Sequence, residues 1–237
     1  MLKAVVTGAG GKMGGRIIGM IARTEGITVT GAVEQPGHPF LGREAGTCSG
    51  GEPLGINVTD ELATAAAGAD VLIDFTHHTA SVRHLELAAQ YGLACVIGST
   101  GFTPEEMARV RELSREVRCV LAPNMSIGVN VMYRVLRDVA RVLGDYDVEI
   151  IEAHHNAKKD APSGTALRMA EVIATALGRD LTRAAVYARH GDIGARRPEE
   201  IGIQTVRAGD IVGEHMVHQV RHLRREHLAV LRLEIAI

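Results

Sequence analysis

The chain has little of what would tie it to nucleic acid, to a membrane or to an oxidising compartment. Its 26 Lys and Arg stand against 28 Asp and Glu, a net charge of -2 with the two signs interspersed. Nothing in that balance recommends a nucleic-acid or membrane-surface partner, and neither is expected. No apolar run approaches the length of a membrane span. The opening, Met1 to Val6, is too short an apolar run for a signal peptide before glycines intervene. Cysteines are few: Cys48, Cys95 and Cys119 are far apart, odd in number and without metal-like spacing. They read as ordinary buried thiols of a reducing compartment. A cytoplasmic globular protein is expected, and 237 residues suffice for one large domain or two small ones.

What the chain does have is a dense polar stretch, Glu152 to Thr165, with adjacent histidines (His154, His155) and two lysines (Lys158, Lys159). Asp147 to Ile151 alternates apolar and acidic residues and reads as a strand. Ala166 to Leu177 carries an amphipathic helix pattern closed by Gly178. The charged cluster is therefore expected on a strand-to-helix loop. Pro162-Ser163-Gly164-Thr165 would offer free backbone N–H groups and a hydroxyl to an anion. Lysines beside such a cradle suit a carboxylate or phosphate, and a histidine there can move protons. By itself the stretch also fits a polar loop on a solvated face. The two histidines as metal ligands are disfavoured, because chain neighbours seldom point the same way and no third ligand has suitable spacing.

At the other end, the apolar run Leu2 to Thr7 leads into Gly8-Ala9-Gly10-Gly11-Lys12-Met13-Gly14-Gly15, and a helical pattern follows. Strand, glycine turn and helix in that order form a dinucleotide-binding arrangement, with the helix N-terminus facing a pyrophosphate. The glycines fall as G-x-x-G-x-x-G rather than G-x-G-x-x-G, since position 13 is Met. A second strand, Thr28 to Val33, ends at Glu34, whose carboxylate can accept hydrogen bonds from ribose hydroxyls. Glu34 followed by uncharged Gln35 leaves Lys12 as the nearby cation, which favours NADH over NADPH without excluding both.

Between these ends, Pro36 to Pro53 reads as a loop, and Val58 to Leu62 as the start of a short helix capped by Thr59 or Asp60. Strands are expected at Ala69–Thr76, Ala94–Gly98 and Arg118–Ala122, and helices over His77–Tyr91 and from Thr103-Pro104 onward. This alternation predicts a doubly wound parallel sheet with ligands beyond the carboxyl ends of its strands. Those tips are the glycine turn, Glu34, Phe75-Thr76, Gly98-Ser99-Thr100 and Ala122-Pro123-Asn124-Met125. Ile127 to Leu143 is helical, and further strands are expected at Ile201–Arg207 and Glu214–Val220. The second half is thus an α+β lobe with a mixed open sheet.

The glycine turn, Gly98-Ser99-Thr100-Gly101-Phe102, Pro123 to Asn130, the Glu152-to-Thr165 stretch and Gly209 to His215 together resemble the 4-hydroxy-tetrahydrodipicolinate (dihydrodipicolinate) reductases of the diaminopimelate route to lysine. The resemblance runs from residue 1 to about 215. It implies a Rossmann-type domain over 1–125 and a substrate-binding and oligomerisation domain over 126–237. It also implies a nicotinamide-dependent reduction of a cyclic, doubly carboxylated imine-type substrate. His154 and Lys158 fall at the family's acid–base positions, and His155, Gly164 and Thr165 at its substrate-binding positions. Gly8, Ala9, Gly10, Gly11, Lys12, Met13, Glu34, Phe75, Thr76, Gly98, Ser99, Thr100, Ala122, Pro123, Asn124 and Met125 fall at or beside its nucleotide positions. The resemblance further implies a homotetramer.

After His215 the chain departs from that pattern. Met216 to Glu226 is basic and rich in histidine without clear periodicity, and Leu231 to Ile237 alternates like a last strand. The family's closing helix is not expected here, so part of the first domain's apolar surface is expected to be exposed or covered differently. Two other readings stand beside the reductase. One is a different two-domain reductase with no use for the histidine–lysine stretch. The other is a nucleotide-binding sensor or inactive homologue with an altered C-terminal end.

Overall fold

A computed structural model describes residues 1–222 and 228–236. The chain divides into two compact units, Met1–Pro123 and Asn124–Ile237.

In the first unit, strands β1 (Leu2–Thr7), β2 (Ile27–Val33), β3 (Val58–Thr59), β4 (Val71–Asp74), β5 (Ala94–Ile97) and β6 (Cys119–Leu121) form one sheet. Its order is β3-β2-β1-β4-β5-β6, and every pairing is parallel. Helices α1 (Lys12–Ile21), α2 (Ala45–Cys48), α3 (Leu62–Ala66), α4 (His78–Tyr91) and α5 (Pro104–Leu113) connect the strands. Two apolar clusters form the core, one around Val6, Ile18 and Val29, the other around Leu72, Leu85 and Ile97. The strands are rich in apolar residues, with Val5, Val6, Ala32, Leu72 and Ile97 all buried, because both faces of the sheet are covered. The order reverses between β1 and β4, where Thr7 and Asp74 stand in register. The crevice beyond those two strand ends is where such a sheet binds ligands.

In the second unit, α6 (Ile127–Val142), β7 (Asp147–His154), α7 (Gly164–Ala176), α8 (Leu181–Ala184), β8 (Ala185–Val186), β9 (Ile201–Arg207), β10 (Glu214–His222) and β11 (Leu228–Ala236) follow in order. The sheet runs β11-β10-β7-β9-β8. It is mixed: β10 is antiparallel to β7 and β11, whereas β9 is parallel to β7 and β8. Val148 and Ile150 of β7, Ile201 and Ile203 of β9 and Val217 of β10 pack with Leu136 of α6 and Met169 and Ile173 of α7. The Rossmann-type sheet followed by a mixed α+β lobe is the expected fold class.

Several local expectations need correction. Val58–Thr59 is a strand, and the helix after it starts at Leu62 with Glu61 as N-cap and no side-chain cap bond. The loop over 36–53 holds a helical turn, Ala45–Cys48, capped by Glu44. β7 runs three residues further than its alternation suggests, so Glu152 and His154 are strand residues rather than loop residues. α7 begins at Gly164, capped by Ser163. The segment after His215 is ordered as β10 to His222, burying His215, Val217 and Gln219 on one face. Residues 223–227 and Ile237 lie outside the described residues. Large apolar side chains exposed on the first unit include Leu2, Met20, Tyr91 and Val120.

Candidate active site

In the first unit the glycine turn is fastened to the end of β2. Ala9 N–H donates to the Val33 carbonyl at 3.0 Å, and Gly10 N–H to Glu34 Oε2 at 2.9 Å. Glu34 Oε1 accepts from Gln35 N–H, also at 2.9 Å. The carboxylate expected to await a ribose therefore already holds two backbone donors, one on each oxygen, with acceptor capacity left on both. Helix α1 has Gly11 as N-cap with no side-chain cap bond. The first-turn N–H groups of Lys12 and Met13 are thus left for an anion. A Cβ on Gly14 would overlap the Gly8 carbonyl, so only glycine lets the helix start this close to the turn.

The far wall comes from β4. Asp74 is fully buried and accepts from Thr76 N–H at 2.9 Å, Thr76 Oγ1 at 2.6 Å and His84 Nδ1 at 2.9 Å. Burial alone would raise its carboxyl, but the His84 and Thr76 donors hold it below the usual carboxylate range. These bonds set the turn carrying Phe75 and Thr76. A Cβ on Gly98 would overlap the Phe75 ring, which places Gly98-Ser99-Thr100 against that wall. Ser99 Oγ is anchored to Ser81 Oγ at 2.6 Å. The cleft between the two walls measures about 510 Å³ and brings together Gly8, Gly11, Glu34, Phe75 and Thr76. It is also lined by Asp60, His77, Arg83 and His84, which the sequence pattern did not single out. Ala122 N–H bonds to the Ile97 carbonyl at 3.1 Å, which brings the tip after β6 alongside that after β5. Glycine donors, an uncapped helix start and an acidic residue after β2 fit a dinucleotide.

In the second unit the site is built on β7. Val148, Ile150, Glu152 and His154 share one face, because strand side chains alternate. The first two are core. The third is a buried carboxylate, aligned in register with Thr205 of β9 and His215 of β10. Arg207 binds it with both terminal nitrogens, at 2.8 Å each. Ser163 N–H donates to Oε1 at 3.0 Å, Thr205 Oγ1 to Oε1 at 3.1 Å, and His154 Nδ1 lies 2.6 Å from Oε2. Burial works to raise this carboxyl, but the Arg207, His154 and Ser163 donors bring it down to about 2. The His154 ring meets the His215 ring edge to face, centroids 5.2 Å apart. Burial, and then the nearby His154, push His215 down to about 4.

The loop after His154 is tied back by Ala208 N–H to the His154 carbonyl at 3.0 Å and Asn156 N–H to the Gly209 carbonyl at 3.1 Å. Within it, Lys158 N–H donates to the His155 carbonyl at 3.2 Å, and Lys158 Nζ pairs with Asp160 at 2.8 Å. Ser163 Oγ accepts from Ala166 N–H at 3.1 Å and its carbonyl from Leu167 N–H at 3.0 Å. Gly164 and Thr165 keep the first-turn N–H groups that have no intrahelical acceptor. Space beyond Gly164 is open. Asn124, grouped by sequence with the nucleotide residues, begins the second unit and donates to Thr165 Oγ1 at 3.2 Å. Glu152, Ser163, Arg207 and His215 were missed as site residues. The signal for two of them was available, as polar residues at core-facing positions of strands.

Residues 2–125 match the family described as dihydrodipicolinate reductase, N-terminus, and residues 128–228 its C-terminus. The chain is 59% identical over 218 residues to the 4-hydroxy-tetrahydrodipicolinate reductase of Anaeromyxobacter dehalogenans (strain 2CP-1), covering 92% of this chain and 81% of that one. It is 53% identical over 240 residues to the same-named enzyme of Anaeromyxobacter sp. (strain Fw109-5), covering 100% of this chain and 89% of that one. Among solved structures, a dipicolinate-bound dihydrodipicolinate reductase from Paenisporosarcina sp. TG-14 superposes with a TM-score of 0.71 at 26% identity, over 99% of this chain and 88% of that one. A cleft suited to a dinucleotide, a carboxylate-held histidine and matches over both halves lead to one conclusion: this chain belongs to the dihydrodipicolinate reductase family.

Proposed function

We propose that the chain is a 4-hydroxy-tetrahydrodipicolinate reductase that uses NADH or NADPH to form tetrahydrodipicolinate in the diaminopimelate route to lysine. The observation that carries this reading is the pairing of His154 with a buried carboxylate on the strand that leads to an open helix start at Gly164 and Thr165. The reduced nicotinamide supplies a hydride to an electron-poor ring carbon. The electron density left on the ring needs a proton from a group within hydrogen-bond reach. His154 is that acid, with Lys158 beside it. The Gly164 and Thr165 N–H groups and the helix dipole hold a substrate carboxylate, and His155 binds at the same substrate.

The glycine turn, Met13, Glu34, Phe75-Thr76, Gly98 to Thr100 and Ala122 to Met125 serve the nucleotide. NADH is the better reductant. Glu34 and Asp60 both line the end of the cleft beyond β2, and Gln35 and Pro36 add no cation. A 2′-phosphate beside Glu34 meets a carboxylate, and the residue that follows it, Gln35, offers no cation to offset it. The enzyme works in the cytoplasm as a homotetramer, by family resemblance.

Aspartate semialdehyde, pyruvate and the upstream synthase would generate the substrate in situ, and nicotinamide absorbance would follow its reduction. Turnover dependent on all three, faster with NADH than with NADPH, is expected. Protein that binds NADH and shows no turnover would overturn the reading.

A further inference from the structure

We propose that Glu152 is the positioning residue of this site: held by Arg207, it keeps the imidazole proton of His154 on Nδ1, so that Nε2 is the nitrogen that exchanges a proton with substrate. The inference rests on the assignment of His154 as the acid.

The two oxygens of Glu152 are divided between tasks. Oε1 accepts from Ser163 N–H, Thr205 Oγ1 and one Arg207 nitrogen, while Oε2 accepts from the other Arg207 nitrogen and faces His154 Nδ1 at 2.6 Å. An ionised carboxylate only accepts, so a nitrogen at that distance must carry its proton. The same contact stops the ring from turning over. His215 closes off another side of His154 with a buried ring that burial keeps neutral. Protonated His154 then holds N–H at both nitrogens. Giving the Nε2 proton to the reduced ring returns a neutral imidazole that still donates from Nδ1 to Glu152, and the cycle closes when Nε2 takes a proton from water. A carboxylate behind a working histidine orients the ring and fixes its tautomer in this way.

The substitution Glu152→Gln tests this. Three donors crowd Oε1 and only one Arg207 nitrogen shares Oε2 with His154, so the new amide N–H₂ belongs on the Oε2 side. There it donates to Nδ1 and forces the proton onto Nε2. Side-chain ¹⁵N spectra of histidine-labelled protein, with the His154 signal assigned by its loss in His154→Gln, read the tautomer whether or not the protein turns over.

The expected result is Nδ1–H in the natural chain, Nε2–H in Glu152→Gln, and a kcat lowered by about 100-fold or more with KM changed only a few-fold. Thr205→Val removes a contact to Oε1 alone, so it should lower stability and leave the tautomer as it was. Should Glu152→Gln not fold, Glu152→Gln with Arg207→Met removes the unmatched cation and reads the same signal. Nε2–H in the natural chain, or an unchanged tautomer and kcat in the variant, would overturn the proposal. An inactive natural chain with the expected tautomers would instead overturn the reductase reading and leave the positioning intact.

Discussion

Ser163 Oγ lies 2.9 Å from His215 Nε2, joining the cap of α7 to the start of β10 across 52 positions of sequence. The same hydroxyl oxygen accepts Ala166 N–H, so one side chain sets both the helix start and the seating of a buried histidine. Seated there, the buried ring must stay neutral, because a charge in that place would be stripped of water.

That requirement gives a pH dependence of stability. His215 is pushed down to about 4 by burial, against an ordinary value of 6.5. Between those values the unfolded chain binds a proton that the folded chain refuses, so stability rises with pH across the window. The full contribution is present above about pH 6.5 and is lost as the pH falls through it toward about 4, a change of about 3 kcal/mol. Urea unfolding of the natural chain from pH 7 to 4, compared with His215→Gln, checks this. The slope specific to that window should vanish in the variant.

Arg207 is predicted to matter for folding as much as for chemistry. Its loss leaves the buried Glu152 carboxylate without its main counter-charge. Arg207→Ala should cost about 3 kcal/mol in urea unfolding at neutral pH. The folded-state carboxyl of Glu152 lies at about 2. Its share of stability is present above the unfolded carboxyl range near 4.5 and lost as the pH falls from there toward about 2, a window below that of His215.

Gly14→Ala should damage nucleotide binding more than its size suggests. The new methyl would overlap the Gly8 carbonyl, which is backbone and cannot swing aside. Either α1 or the glycine turn must move, and the N–H groups of Lys12 and Met13 move with it. A rise in the NADH dissociation constant of at least about tenfold is expected by fluorescence titration, equal to about 1.4 kcal/mol.

Gln35→Arg tests the cofactor preference. A guanidinium beside Glu34 would offset its charge and offer a fork to a 2′-phosphate. The ratio of kcat/KM for NADPH over NADH should rise by about tenfold, a gain of about 1.4 kcal/mol.

The first unit was legible because its local signals agree with its fold. The glycine turn, the strand ending at Glu34 and the capping box of Thr103 with Glu106 each state their own geometry. Val58–Thr59 was misread because a two-residue edge strand has no period of its own, and its pairing with β2 is a tertiary decision. In the second unit the histidine stretch stood out by composition, but its placement did not. Glu152 and His154 continue the β7 alternation in polar residues, which hydrophobic periodicity counts as loop. β10 was legible over Glu214–Val220 and runs two residues further, to His222, with His215 and Gln219 on its buried face beside Val217. Glu152 is inside because Arg207, Thr205 and Ser163 await it, and His215 because Ser163 does; no local pattern announces such partners.

The central claim is that His154 supplies the proton of the reductive step. The measurement that tests it most directly is the kcat of His154→Gln in the synthase-coupled assay, beside its NADH affinity by fluorescence. The account predicts unchanged NADH binding and a kcat lower by about 100-fold or more. A variant that binds NADH and turns over at the natural rate would contradict it, and would move the proton donor elsewhere in the second unit.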